Sequence, residues 1–156
     1  MFDAPVETWY TWLGLAVASV AMLGAATTFP ATATPDAAGV ADTVDGVAAS
    51  EYPATAEHPL AAEAIRVGPH RLSLRNDAGT THASFVFGPV TPVAPGSRLE
   101  TVLHGVPPGE AFDSRRAFTQ ALIEARTEES TWQTVDRTLV VRRAEWGESD
   151  ATLVGA

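Results

Sequence analysis

The side chains most able to do chemistry are four histidines, because an imidazole can accept a proton near neutral pH or bind a metal ion. His58, His70, His82 and His104 are at least 12 residues apart and lie in no H-E-x-x-H or H-x-E pattern. A metal centre or a catalytic site needs several such groups to converge. We therefore interpret His82 as a solvated histidine on a strand, and we predict no catalytic residue, no metal ligand and no cofactor.

Two pairs of arginines are the next candidates, since clustered positive charge recognises phosphate groups. Arg115 and Arg116 would open a helix, where we expect acids nearby to pair with them. Arg142 and Arg143 fall on a predicted strand, whose neighbouring residues point to opposite faces and so form no single patch. The sequence contains no G-x-S-x-G elbow, no P-loop, no G-x-G-x-x-G and no cysteine. These observations predict that the protein is not an enzyme.

Charge narrows the class of partner. The chain carries a net charge of −9, and all of its ten basic residues are arginine. A high negative charge without lysine is typical of proteins adapted to high salt, although a high-GC bacterial genome also prefers arginine to lysine. We do not expect a nucleic acid as partner, because its phosphates would be repelled.

The first predicted element of secondary structure is an uncharged, apolar run at residues 9–29. At 1.5 Å per residue a helix of this length spans a bilayer core of about 30 Å. Trp9, Tyr10 and Trp12 lie at its front edge, where aromatic rings favour the membrane interface. We predict an acidic tail at residues 1–8, a transmembrane helix at residues 9–29 in contact with the lipid bilayer, and a spacer at residues 30–35.

Two other interpretations of this region stay open. Ala31 and Ala33 frame a possible A-x-A cleavage site, although a secretory signal would have a basic front end and a shorter apolar run. A type IV pilin leader would also be basic, whereas this end carries Asp3 and Glu7. An uncleaved single-pass anchor fits better. We expect the domain that follows to lie outside the cell, because an Ala/Thr/Pro-rich spacer usually tethers an exported domain.

Residues 36–156 are predicted to form one soluble α+β domain, with a mostly antiparallel sheet and two or three helices. Asp36 is a predicted N-cap for an amphipathic helix that runs to about Ser50. Residues 51–63, which contain two prolines, are predicted to be a loop. Residues 64–67 are predicted to be a strand.

A β-hairpin is the clearest local pattern. Residues 71–75 and 81–87 alternate apolar and polar side chains around Gly79, which suits a tight turn. The face expected to be buried consists of Leu72, Leu74, Ala83, Phe85 and Phe87. The side chains expected to point the other way, on the polar face, are Arg71, Ser73, Arg75, His82 and Ser84.

Two helices and two strands are predicted in the remainder. The residues S-R-L-E at 97–100 match a capping box and open a short helix that ends at Gly105. Asp113 or Ser114 is predicted to cap a longer helix that ends at about Arg126. The apolar centre of residues 138–143 indicates a strand inside a sheet, and a turn then leads to a last strand at residues 151–154.

Several segments carry a resemblance to a known family, namely D-A-P-V-E-x-W-Y at 3–10, P-D-A-A at 35–38, G-P-H-R at 68–71, F-G-P-V at 87–90 and A-T-L-V-G-A at 151–156. On these segments the whole chain resembles a haloarchaeal family of small single-pass membrane proteins of unknown function. The resemblance implies a membrane anchor and salt adaptation. In layout such proteins are similar to the minor, pilin-like components of archaeal type IV pilus or secretion systems.

The sequence therefore supports two hypotheses about function. The first is a non-enzymatic, membrane-anchored accessory protein of an archaeal cell-envelope assembly, acting through protein partners. The alternative is a solitary membrane-anchored or secreted module for a ligand of unknown identity, which would need a concave apolar pocket with a few polar groups.

Overall fold

The computed structural model describes residue 13 and residues 15–17, 32–135 and 137–156. The chain divides into two compact units, Met1–Ala33 and Thr34–Ala156. In the first unit, the described residues Leu13, Leu15, Ala16 and Val17 are helical and exposed. The predicted tail and the rest of the predicted transmembrane helix at 9–29 lie outside the described residues. Among the residues described, no helix is both long enough and apolar enough to cross a membrane.

Four helices lie between residue 32 and the end of the described chain: α1 (Ala37–Ala48), α2 (Arg98–Leu103), α3 (Pro108–Ala111) and α4 (Arg115–Thr127). Three of them begin at the predicted caps. The side chains of Asp36, Ser97 and Ser114 accept hydrogen bonds from backbone N–H groups three residues further on. The longer helix is thus capped by Ser114 and not by Asp113. The one-turn helix α3, which begins at Pro108, was not expected.

Among the described residues, eight strands form two four-stranded sheets. They are β1 (Thr55–Pro59), β2 (Ala64–Val67), β3 (Arg71–Asn76), β4 (Gly79–Ser84), β5 (Thr91–Pro92), β6 (Gln133–Thr134), β7 (Thr138–Trp146) and β8 (Ser149–Gly155). The first sheet has the order β1-β7-β8-β5, and the second has the order β4-β3-β2-β6. Every pairing is antiparallel except that between β5 and β8. The α+β class with mostly antiparallel pairing is therefore confirmed, but with two sheets where one was predicted.

The first sheet is covered on both faces. Alternate residues of its central strand β7 enter different cores: Leu139 and Val141 join one cluster, whereas Ala144 and Trp146 join another. The first cluster contains the apolar face of α1 and the inner residues of the second sheet. The second cluster contains residues of α2 and α4, including the fully buried Phe118. The predicted position of this strand inside a sheet is confirmed.

The first cluster covers the second sheet on one face only. Leu72 and Leu74 of β3 are buried against the first cluster, as predicted for the hairpin. Gly79 closes the hairpin with a positive φ of 143°, a conformation that residues with a Cβ rarely adopt. The alternation of β2, β3 and β4 sends the other side chains away from the core.

Two local predictions were wrong. The predicted loop at residues 51–63 contains β1, which pairs along its whole length with β7. A proline at the end of an edge strand is tolerated there, because the N–H it lacks is one that faces away from the sheet. Phe87 was expected to be buried, but β4 ends at Ser84 and the Phe87 side chain is exposed.

Candidate functional site

The four histidines do not come together. His58 Nδ1 lies 2.8 Å from the hydroxyl of Thr43 on α1, and His82 Nδ1 lies 2.8 Å from the hydroxyl of Ser73. His70 and His104 are exposed elsewhere on the surface. In the described part of the chain, no group of three or more His, Cys, Asp or Glu residues could hold a metal ion.

Ser73 and His82 lie in a polar row that crosses the second sheet. Arg66 of β2 is opposite Ser73 of β3, and Ser73 is opposite His82 of β4. Opposite residues of an antiparallel pair point to the same face, so these three side chains all point away from the core. Arg71 and Arg75 flank Ser73 along β3 on the same face. We call this surface, made by Arg66, Arg71, Ser73, Arg75 and His82, the outer face.

A tryptophan orders two of the outer-face arginines. The guanidinium carbon of Arg66 lies 5.0 Å from the centre of the Trp132 ring, and that of Arg75 lies 4.7 Å from it. Both distances are within the range of cation–π attraction, which is about 6 Å. Trp132 immediately precedes the short edge strand β6. The ring therefore links the segment before β6 to β2 and β3 through side-chain contacts.

The Ser73–His82 pair has the residue types of a nucleophilic site, but its geometry favours a structural role. A nucleophilic serine must reach a substrate carbonyl, whereas Ser73 exposes 2% of its surface. A buried hydroxyl needs a partner, and the His82 ring supplies one. The predicted placement of His82 beside Ser73 on the polar face is confirmed, and His82 is exposed as expected for a strand histidine.

The loop after β4 presents two apolar side chains to solvent. Val86 is 81% exposed and Phe87 is 52% exposed. The carboxylate of Asp45 on α1 accepts hydrogen bonds of 2.9 to 3.0 Å from the backbone N–H groups of both residues. A charged acceptor for two N–H donors fixes the loop against the helix. The side chains of Val86 and Phe87 are therefore held in an exposed position, where no core residue covers them.

A groove of about 440 Å³ lies beside the short edge strands β5 and β6. Its floor is apolar and includes Ile65, Val93, Leu99, Phe112 and Val154. Its rim carries Glu124, Glu128 and Glu129 together with Arg98. Arg98 is 3.3 Å from Asp113, and both side chains are largely exposed. The groove therefore combines an apolar floor with an excess of negative charge.

The two predicted arginine pairs do not form sites. Arg143 contacts Glu145 and Asp150 at 3.3 and 3.1 Å, and it donates to the carbonyl of Ala48 at the end of α1. Arg142 faces the other side of β7. Within the described chain, Arg115 and Arg116 form no ion pair, so the expected contacts with acids are wrong.

The sequence did not predict the contacts of Arg66 and Arg75 with Trp132, the hydrogen bonds of Asp45 to the loop after β4, or the groove. Each joins residues that are distant in the chain, such as Arg66 with Trp132, or Asp45 with Val86. The available signal is the alternation of residues 71–75, which places Arg71, Ser73 and Arg75 on the outward face but names no partner for the arginines.

Comparison with known proteins identifies a family and no characterised relative. A family model described as "Family of unknown function (DUF7283)" matches residues 3–144. No curated protein and no solved structure matches the chain.

Proposed function

The chain belongs to the family DUF7283, and we propose that it is a non-enzymatic, membrane-anchored accessory protein of an archaeal cell-envelope assembly, either pilus-like or secretory. In this proposal residues 9–29 hold the chain in the cell membrane as a single span, and residues 36–156 contact protein partners outside the cell. The uncharged run at 9–29 supports the anchor. The described helical residues within it expose apolar side chains, which also fits a helix in lipid.

One observation supports protein contact most directly, namely the exposed Val86–Phe87 pair held by Asp45. Apolar side chains that water surrounds are favourable to bury against a partner. A loop that is already fixed loses less conformational entropy on binding than a mobile one. Two hydrogen-bonded N–H groups at Asp45 provide that fixation. The pair is therefore suited to act as an anchor point for a partner protein.

Photocrosslinking in native membranes tests the proposed contact. A photoreactive amino acid at Val86 is expected to give an adduct whose partner is identified by mass spectrometry as a cell-envelope protein. The matched control carries the same amino acid at Ile123, which is also exposed but lies on α4. Asp45→Ala is expected to weaken the Val86 adduct, because it releases the loop. Recovery of monomer alone from Val86 would contradict the proposal.

A separate measurement tests the anchor and its orientation. Protease treatment of intact cells is expected to digest residues 36–156, and intact-mass analysis is expected to show an uncleaved amino terminus. Protection of the domain would place it on the cytoplasmic side. A mass that begins after residue 33 would instead indicate a cleaved signal.

The groove favours a second candidate function, a module that binds a small amphiphilic ligand. A cavity of about 440 Å³ with an apolar floor and a few charged groups is typical of small-molecule sites. Because three glutamates face one paired arginine, a ligand with a positive charge fits best. Ala121 lines the groove, whereas its neighbour Gln120 is exposed and does not. Ala121→Trp is expected to abolish binding of a cationic apolar dye, and Gln120→Trp is expected to retain it.

A further inference from the structure

We propose that the outer face of the second sheet binds an acidic segment of a partner polypeptide, with Arg66 and Arg75 donating hydrogen bonds to its carboxylates. The inference rests on the proposed protein-contact function, for which it names a second contact and its chemistry. It concerns the opposite face of the sheet from the buried Leu72 and Leu74.

The first argument is the charge of the outer face. The outward positions of β2, β3 and β4 hold three arginines, one histidine and otherwise only small or hydroxyl side chains: Ala64, Arg66, Arg71, Ser73, Arg75, Thr80, His82 and Ser84. None of these positions carries a carboxylate, although the chain has 19 acidic and 10 basic residues. Among the described residues, no acid lies within ion-pair distance of these three arginines. The local charge is thus opposite in sign to that of the whole chain.

The second argument is that the two stacked guanidinium groups are already oriented. An arginine that stacks on an aromatic ring still has its N–H donors at the edge of the guanidinium plane. These donors match the two oxygens of a carboxylate, and such charge-assisted bonds are among the strongest available to a protein surface. Because Trp132 restricts both side chains before binding, less rotamer entropy remains to be lost.

The third argument concerns the spacing of the arginines. Arg66 is opposite Ser73, so Arg75, two residues along β3, is its diagonal neighbour. Diagonal positions of an antiparallel pair are roughly 7–8 Å apart, close to the distance between alternate side chains of one extended strand, which is about 7 Å. An extended segment with acids at alternate positions would therefore place one carboxylate near each arginine.

The net charge favours a short acidic segment over a larger polyanion. A nucleic acid or an anionic bilayer extends beyond the outer face and would meet the negative charge of the remaining surface. A short segment contacts only the arginines. Among the outward positions of these strands there is also no aliphatic side chain larger than alanine that could insert into lipid.

The test uses the full chain in detergent and a fluorescein-labelled peptide of alternating glutamate and threonine, with fluorescence polarisation as the readout. The variant Arg66→Gln with Arg75→Gln is expected to weaken binding by at least about tenfold, which corresponds to 1.4 kcal/mol. The matched control is Arg115→Gln with Arg116→Gln, which changes the net charge equally on α4 and is expected to change binding less than about twofold. A far-UV circular dichroism spectrum identical to that of the wild type establishes that the first variant is folded.

Three results would overturn the proposal. The first is equal weakening by the two double variants, which would indicate non-specific attraction. The second is equal binding of the matching peptide of glutamine and threonine. The third is that single-stranded DNA or phosphatidylglycerol vesicles bind more tightly than the acidic peptide, with the same dependence on Arg66 and Arg75. None of these results affects the crosslink at Val86, so a failure here is distinguishable from a failure of the proposed function.

Discussion

The two sheets of the domain differ in how many of their faces the protein itself covers. The first sheet lies between two apolar clusters, so β7 buries Leu139 on one side and Ala144 on the other. The second sheet buries Leu72 and Leu74 on one side and presents arginines on the other. A sheet covered on both faces contributes mainly to stability, whereas a sheet covered on one face leaves its other face open to solvent. Mutations of buried residues in either sheet should therefore lower stability, whereas mutations on the outer face should mainly affect binding of the acidic peptide.

The largest loss of stability is expected in the cluster that covers the far side of the first sheet. Phe118 is fully buried and packs against Phe112 and Trp146, with ring centres 5.5 and 6.1 Å away. Phe118→Ala should lower the free energy of unfolding by about 3–5 kcal/mol, measured by chemical denaturation followed by circular dichroism. Phe87→Ala is the control, because Phe87 is half exposed, and its loss should stay below about 1 kcal/mol. Similar losses for both variants would contradict the assigned cores.

Neighbouring residues of β3 sharpen the contrast between the two faces of one sheet. Leu72 is fully buried against the core, whereas Ser73 is buried on the outer face beside His82. Leu72→Ala should cost about 2–5 kcal/mol because it leaves a cavity. Ser73→Ala should cost only about 1 kcal/mol, the value of one hydrogen bond. If Ser73→Ala proved as costly as Leu72→Ala in the same denaturation measurement, the outer face would be part of a further core.

A polar contact at the edge of the first sheet should have an intermediate effect. Arg126 Nε donates to the hydroxyl of Thr91, which is completely buried in β5. Burial lowers the pKa of Arg126, and the charge of Asp150 opposes that change. Thr91→Val should cost about 1–3 kcal/mol, because it leaves this donor without its acceptor.

A double-mutant cycle checks that explanation. Thr91→Val in a protein that already carries Arg126→Met should cost much less, since no donor is then left unpaired. Additive losses in the cycle would show that Thr91 acts through packing alone.

The smallest change in stability is expected on the outer face. Arg75→Gln removes one cation–π contact with Trp132, which is worth about 0.5–1 kcal/mol at an exposed site. Denaturation should therefore shift only slightly, while binding of the acidic peptide should weaken severalfold. A large loss of stability without a loss of binding would contradict the binding role proposed for the outer face.

Local chemistry explains why much of the fold was predictable. Asp36, Ser97 and Ser114 cap helices through bonds to residues three positions away, and the pattern around Gly79 defines the hairpin. These features depend on neighbours in the chain. The strand at Thr55–Pro59 was missed because it is stabilised by β7, far along the sequence. The division into two sheets was missed for the same reason.

The candidate site was less predictable because none of its contacts is local. The alternation of residues 71–75 correctly placed Arg71 and Arg75 away from the core. It contained no information that Trp132 would lie against Arg66 and Arg75, or that Asp45 would bind the loop at Val86. Burial of Ser73 on the outward face likewise depends on its cross-strand neighbours.

The pairing of β1 with β7 also has a consequence for the order of folding. The hairpins β3–β4 and β7–β8 pair residues that are near in sequence, so they are expected to form quickly. The pairing of Thr55 with Arg142 instead joins residues separated by most of the domain sequence. The edge of β7 that β1 covers therefore stays unpaired until late in folding. We expect Ala56→Gly in β1 to speed unfolding with little effect on the folding rate, because its contacts form after the rate-limiting step.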